Sequence, residues 1–264
     1  MGSSGRPDDE DLWRVPMPGA LGPLDAHGRR LGTPAPDLSI SIVIPCLNAE
    51  TGLKRTLDSL ANAERSGFLP EIIIADGGST DATRAIAETA GARVVDCAPG
   101  RGTQLSAGAR AAKGDWLLFL HADTALERGW AASVMVFTRN DRNRDRAAVF
   151  TFALDDDSPA ARRLEGMVHR RNRWLGLPYG DQGLLIHRRF YRRLGGYRDI
   201  PLMEDVDFIR RIGMSRLVLF DVRAVTSAER YVRAGYVRRA LRNLICLTLY
   251  FLRVPPRLIA RIYG

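Results

Sequence analysis

The sequence predicts an α/β fold, a mostly parallel sheet flanked by helices. Four short apolar, β-branched runs, at residues 38–45, 71–76, 92–97 and 116–123, alternate with helix-like segments. That is the β-α-β-α-β-α-β order of a parallel sheet with helices on both faces. The second observation is the make-up of the runs. IIIA and LLFL are apolar without alternation, as strands buried on both faces are. The third is where they end. Polar residues follow each run, at the carboxyl edge where open α/β sheets bind ligands.

Taken in order, residues 1–38 are rich in Gly, Pro and Asp, show no periodicity and read as a flexible leader. The first strand stops at Pro45, and an amphipathic helix follows over 50–63. The second strand leads into a helix with Ser79 or Thr80 as its cap and Gly91 as its end. After the third strand comes a helix of small residues closed by Gly114, then the strand ending in HAD. A charged loop at 139–146 precedes a further strand at 147–154. Beyond Ser158 the pattern gives a basic helix (160–174), a Gly-rich turn (177–183), and shorter helices and strands. It closes with one long basic amphipathic helix over 229–252, cut off by Pro255 and Pro256.

At 264 residues, 45% hydrophobic and 26% charged, the chain has the length and composition of a soluble globular protein with a sizeable core. Its net charge of +9 is unevenly placed. Residues 161–264 hold 22 arginines and no lysine against 8 acidic residues. Two readings fit: an anionic partner (phosphorylated substrate, acidic membrane surface or nucleic acid), or an arginine-rich composition without functional meaning. Cys46, Cys97 and Cys246 have no paired spacing, which argues against a disulfide framework or a zinc site and fits a reducing cytosol. No signal-peptide core is visible near the N-terminus. The longest apolar stretch, 244–252, falls far short of the ~20 residues that span a bilayer. No zinc, helix-turn-helix or aromatic-basic pattern supports nucleic-acid binding.

Several strand ends carry chemistry. In ADGGSTD, Asp76 sits directly at a strand end before two glycines, an arrangement suited to a nucleoside hydroxyl or base N–H; a helix-capping turn is the plainer alternative. PGRGTQLSAG sets glycines around Arg101 ahead of a helix, which suits a diphosphate as well as a tight turn. In LLFLHADT, Asp123 is placed to hold Mg2+ or Mn2+ against phosphate oxygens, with His121 either a second ligand or a polar strand residue. Asn48 follows the first strand and can present its amide from a turn. Further along, YGDQG holds Asp181 and Gln182, and PLMEDVDF places Glu204, Asp205 and Asp207 at a helix start. Acids are favoured at that position by the helix dipole, yet three exceed what capping requires.

The motifs IVIPCLNAE, IIIADGGSTDAT, GDWLLFLHADT and GGYRDIPLMEDVDF, in that order, resemble family 2 glycosyltransferases of the GT-A fold. Together with GRGTQ and PYGDQ they are most similar to a bacterial subgroup of small single-domain members. The resemblance implies sugar transfer, usually inverting, from a nucleotide-diphosphate sugar to a hydroxyl acceptor, assisted by Mg2+ or Mn2+. It implies donor contacts from Pro45, Asn48, Glu50, Asp76, Gly77, Arg101, Gln104 and Asp123, with Asp123, and His121 beside it, as metal ligands. It puts the catalytic base at Asp205, with Glu204 next, and sets Asp181, Gln182 and Asp207 on the acceptor side. His121 stands where the first acid of the family's DxD element is usual, and Gly77 where its Asp-Asp-Gly-Ser element has the second acid. The implied division is a leader (1–38), a GT-A domain (39–228, with a nucleotide-binding half 39–124 and an acceptor half 125–228) and a basic helix and tail (229–264).

Two other functions are weighed against this. A sugar-phosphate nucleotidyltransferase would share the sheet, acids and metal, but would carry a lysine-bearing Gly-rich loop where IPCLNAE stands. A basic nucleic-acid-binding protein rests on charge alone. In the C-terminal helix, Tyr231, Val232, Tyr236, Val237, Leu241, Leu244 and Ile245 recur at helical spacing among arginines. That stripe suits an anionic membrane surface near an apolar acceptor, packing on its own domain, or a second copy of the chain. The expected location is the cytoplasm, with the inner membrane face as the peripheral alternative.

Overall fold

The computed structural model describes residues 14–15, 39–61, 63 and 69–263. Of the stretch read as a leader, Arg14–Val15 forms a two-residue strand, β1, and its other residues up to 38 lie outside the described ones. The parallel core is β2 (Ile40–Cys46), β3 (Glu71–Asp76), β4 (Arg93–Asp96) and β5 (Trp116–Phe119). They are connected by α1 (Glu50–Ala61), α2 (Thr83–Thr89) and α3 (Arg101–Ala111). β2 pairs with both β3 and β5, and the register Cys46↔Asp76 brings the strand ends to one edge.

The second half widens this into a mixed sheet. After β5 come β6 (Thr124–Leu126), α4 (Trp130–Thr138), β7 (Ala147–Leu154), α5 (Pro159–Leu175), β8 (Leu184–His187), α6 (Arg188–Arg193), α7 (Glu204–Ile212) and β9 (Leu217–Thr226). The sheet order is β1-β9-β7-β8-β5-β2-β3-β4, with β6 on β9. β8 runs antiparallel to β5 and β7, whereas β9 runs parallel to β7. β6 and α4 fall in a stretch where the sequence pattern gave no element.

The uninterrupted apolar runs are explained by burial on both faces. Ile42, Ile44, Leu118, Phe150 and Phe220 meet Leu53, Leu57, Trp130 and Phe137 on one side. Val43, Ile73, Leu117, Phe119 and Leu219 meet Leu105, Phe190 and Phe208 on the other. Each such side chain contributes roughly 1.5–3 kcal/mol on leaving water. The small residues of α3 have a steric reason: a Cβ on Gly108 would lie 2.3 Å from Val43 Cγ1, so only glycine lets this helix sit so close to β2.

Two expected boundaries change. The single C-terminal helix is three: α8 (Glu229–Ala234), α9 (Tyr236–Phe251) and α10 (Pro256–Tyr263). Gly235, at φ 82°, breaks the first from the second. Pro256 opens α10 instead of ending the helical region, because proline is well suited to a first helical turn. Neither Ser79 nor Thr80 caps α2, whose N-cap is Ala82 with no side-chain bond. Both are used to tie one loop to another.

Candidate active site

The carboxyl edge of the sheet carries two clefts that share Arg101, His121, Asp123, Ser227 and Arg230. One, of about 390 Å³, is walled by the β2–α1 loop (Pro45, Leu47, Asn48), Gln104, Asp155 and Glu229. That volume lies in the ~300–1,000 Å³ range of small-molecule sites. The other, of about 110 Å³, is walled by Tyr179, Asp181, Glu204 and Asp205, with Tyr231 and Arg239 from the C-terminal helices.

Asp123 lies just beyond β5, where the strand has ended and the chain turns. The carbonyl of Ala122 accepts from Thr56 Oγ1 at 2.8 Å, and that of Asp123 accepts from the Ser227 amide at 3.0 Å. Those two bonds fix the turn between α1 and the end of β9. The carboxylate itself faces both clefts, with Arg230 Nη2 3.7 Å from its Oδ2. Among the described residues no cluster of three His, Cys, Asp or Glu side chains could hold a metal. A single half-buried carboxylate on the cleft wall nevertheless fits Mg2+ or Mn2+, which takes oxygen ligands and keeps waters and substrate phosphates in its shell.

His121 is held neutral: burial, then the nearby Arg101 and Arg230 charges, depress its basicity well below the usual imidazole range, against Asp205. Its Nε2 packs against Gly180, where a Cβ would come within 2.6 Å of that atom. The same glycine donates its amide to Asp205 Oδ2 at 2.9 Å, while Asp205 Oδ1 accepts from the Val206 amide at 2.7 Å. Asp205 is thus aimed by two backbone donors and still lines the cleft. The preceding Met203 adopts a left-handed φ of 67°, an uncommon conformation for a non-glycine residue that turns the chain into α7 just before the two acids.

Glu204 and Asp205 are differently placed. Glu204 is 2% exposed and faces Arg101, Oε1 to Nε 3.5 Å. Burial and the Asp205 charge push its carboxyl up to about 7, with Arg101 opposing. Asp181 also faces the smaller cleft; its Oδ1 is buried without a hydrogen-bond partner, and burial raises it to about 6.

Other sequence-predicted residues are engaged elsewhere. Asp76 is fully buried and lines neither cleft. Burial raises its carboxyl, but bonds from Ser79 and Arg84 outweigh that and lower it overall. Glu50 and Asn48 stitch the β2–α1 loop to the β3–α2 loop: Glu50 Oε2 accepts from the Ala82 amide at 3.0 Å, and Asn48 Oδ1 from the Thr80 amide at 2.9 Å. Asn48 stays on the cleft wall; Glu50 does not. Gln104 donates to the carbonyls of Cys46 (2.6 Å) and Ala75 (3.1 Å), and a Cβ on Gly77 would lie 3.1 Å from its Nε2. The position where the family usually has an acid is therefore filled from α3.

Two acceptor-side expectations give way to structural roles. Gln182 is fully buried, donating to Phe150 O at 3.0 Å and accepting from Asn172 at 2.9 Å. Asp207 points away from the cleft and binds Arg198 and Arg211, at 3.0 and 2.5 Å. Arg211 in turn donates to the carbonyls of Leu194 and Gly196. The sequence reading missed Ser227, Tyr179 and Asn243 as cleft residues. The polar run SAER after β9 was the available signal for Ser227, while nothing local marks Asn243.

Comparison with known proteins bears on this arrangement. Residues 41–194 match the family described as glycosyl transferase family 2. Glucosyl-3-phosphoglycerate synthase of Mycobacterium tuberculosis is 35% identical over 129 residues, covering 43% of this chain and 39% of that enzyme. A PGL/p-HBAD biosynthesis glycosyltransferase of Mycobacterium bovis is 40% identical over 93 residues, 33% of this chain and 36% of the relative. The matched stretches thus span well under half of these relatives. Among solved structures, the M. tuberculosis synthase in complex with Mn2+ and UDP-glucose superposes with a TM-score of 0.53 at 19% identity, over 79% of this chain and 78% of that one. S. aureus TarS 1-349 gives 0.56 at 14% identity, over 85% and 69%. Those likenesses agree with the α/β fold described above, and with the family match over more than half of its length the chain belongs to glycosyl transferase family 2.

Proposed function

We propose that the protein transfers a sugar, with inversion, from a nucleotide-diphosphate sugar in the larger cleft to a hydroxyl acceptor in the smaller one. The observation that carries this reading is that Asp123 and Arg101 line both clefts, with Asp205 in the wall of the smaller one. Asp123 would hold Mg2+ or Mn2+ together with diphosphate oxygens, and that ion would supply positive charge to the leaving group. Arg101, at the start of α3, and Arg230 add charge-assisted donors for the same diphosphate. In the transfer the acceptor oxygen bonds to the anomeric carbon as the bond to the diphosphate oxygen breaks. The hydroxyl proton goes to Asp205, the half-buried carboxylate whose oxygens are already oriented by the Gly180 and Val206 amides. Glu204, deeper and facing Arg101, serves to position that guanidinium. Exclusion of water from the acceptor pocket by Tyr179 and Tyr231 favours transfer over hydrolysis.

The acceptor is proposed to be apolar or lipid-linked, met at an anionic membrane surface. Residues 230–264 carry eight arginines and no acid. Val237, Leu241, Leu244 and Leu252 are 81%, 54%, 57% and 70% exposed, whereas the stripe's Tyr231 and Tyr236 pack inward. Arg238, Arg253 and Arg257 are exposed among them. No helix among the described residues is long and apolar enough to cross a membrane, so contact would be at the surface. Calorimetric titration of NDP-sugars with and without Mn2+ tests the donor half: Asp123→Ala should abolish the metal dependence of binding. Equal metal dependence in both proteins would contradict it.

A further inference from the structure

The smaller cleft continues past Asp205 into a second depression; Arg101, Leu202, Glu204, Arg230, Arg239 and Tyr263 line both. Arg242 joins them there. Two of these four arginines have acidic neighbours, Arg101 with Glu204 and Arg230 with Asp123. Arg239 and Arg242 have no carboxylate within ion-pairing distance among the described residues, and the Nε of each is buried without a hydrogen-bond partner. Elsewhere in the chain, the partly buried Arg211 is matched to Asp207, and even the exposed Arg162 and Arg223 are paired with carboxylates.

The two unpaired guanidinium groups are nevertheless held in place. They lie three residues apart on α9, hence on one face. Arg239 sits 5.2 Å from the Tyr231 ring centroid and donates to the Tyr263 hydroxyl at 3.2 Å, and Arg242 sits 5.2 Å from the Tyr263 ring centroid. Aromatic faces fix a cation's position without consuming its N–H donors. The Nε of each is a buried charged donor without an acceptor, which is costly unless something binds to it. The donor diphosphate does not account for this pair, because neither residue lines the larger cleft.

We propose that Arg239 and Arg242 bind an anionic group, phosphate or carboxylate, carried by the acceptor. On the proposed sugar transfer, the hydroxyl delivered to Asp205 then belongs to an acidic compound. A phosphate on a lipid-linked acceptor, as proposed above, presents that chemistry; a soluble phosphorylated acceptor presents it equally and would replace the membrane part of that reading.

The test uses the full chain saturated with UDP and Mg2+ at fixed ionic strength, titrated with glycerol phosphate, with uncharged glycerol, and with phosphatidylcholine vesicles doped with phosphatidic acid. Saturable binding of one phosphate probe but not of glycerol is expected. An Arg239→Gln/Arg242→Gln double variant should weaken it about tenfold or more. Arg238→Gln, an exposed neighbour on α9, should leave it within twofold; if the Gln pair fails to fold, an Arg239→Lys/Arg242→Lys variant, which keeps the charge but not the forked donors, should weaken it about three- to tenfold. Binding of glycerol phosphate identifies a soluble acceptor; loss confined to vesicle binding identifies a lipid. Unchanged binding of both probes in the double variants, or no saturable binding of either to a wild-type chain that binds UDP, overturns the proposal. Failure to bind any nucleoside diphosphate counts instead against the transferase reading.

Discussion

The amide of Gly180 donates to Oδ2 of Asp205 at 2.9 Å, joining the turn after α5 to the first turn of α7. One hydrogen bond thus aims the proposed base from an element 25 residues away in sequence. His121 closes the same corner, with Nε2 at the position a methyl on Gly180 would need.

Gly180→Ala is expected to displace His121, Asp205 or both. Misplacement of a reacting group by about 1 Å costs as much as 100-fold in rate. Steady-state assays should show kcat lowered by 10- to 100-fold, with UDP affinity preserved, since Gly180 is not on the larger cleft. Unchanged kcat would separate this corner from the chemistry.

Asp207 makes the opposite prediction. Its side chain is buried between Arg198 and Arg211, and Arg211 holds the 194–196 carbonyls. Asp207→Asn should cost about 3 kcal/mol of stability by leaving buried charge unpaired. Denaturant unfolding measures that loss, and kcat of the remaining folded enzyme should fall by less than threefold.

Glu204 gives a pH signature. Its folded-state carboxyl is raised from 4.5 to about 7, so between those values the folded chain binds more protons than the unfolded one. Stability from this group is therefore greatest at low pH and falls as pH rises toward 7. Glu204→Gln removes that slope. In thermal melts the variant should gain on wild type by a few °C between pH 5 and pH 8, near the ~2–4 °C per kcal/mol expected at this size. A constant difference across that range would show that the buried carboxyl does not titrate there.

Gly77 and Gln104 form a steric pair. Gly77→Ala places a methyl 3.1 Å from Gln104 Nε2 and should lower stability by about 1–3 kcal/mol. Adding Gln104→Ala should recover part of that loss, read as a positive coupling energy in a double-mutant cycle.

These pairs also show how far the sequence could be read. The parallel core was legible because continuous apolar runs between amphipathic segments have few other solutions. β6 and α4 were not, since Thr124–Leu126 is too short to show a period and WAASVMVF is apolar on all sides. Within the site, strand-end position marked Asp123, and the excess of acids at a helix start marked Asp205, as candidates to be near a ligand. It could not separate Asp205 from Asp207, two residues on, because which acid meets Gly180 and which meets Arg211 depends on tertiary packing. The engagement of Asp76 was hidden for a similar reason: Arg84, on the following helix, donates to its carboxylate. The arginines of α9 were visible as charge, but their burial was not.

The most direct test compares turnover and donor binding in Asp205→Asn. With an NDP-sugar screened for wild-type binding, the account predicts transfer lowered by at least ~1,000-fold, near the upper part of the range for losing a general base, with Mn2+-dependent donor affinity within about twofold of wild type. Near-normal turnover in that variant would contradict the central claim that Asp205 takes the acceptor proton.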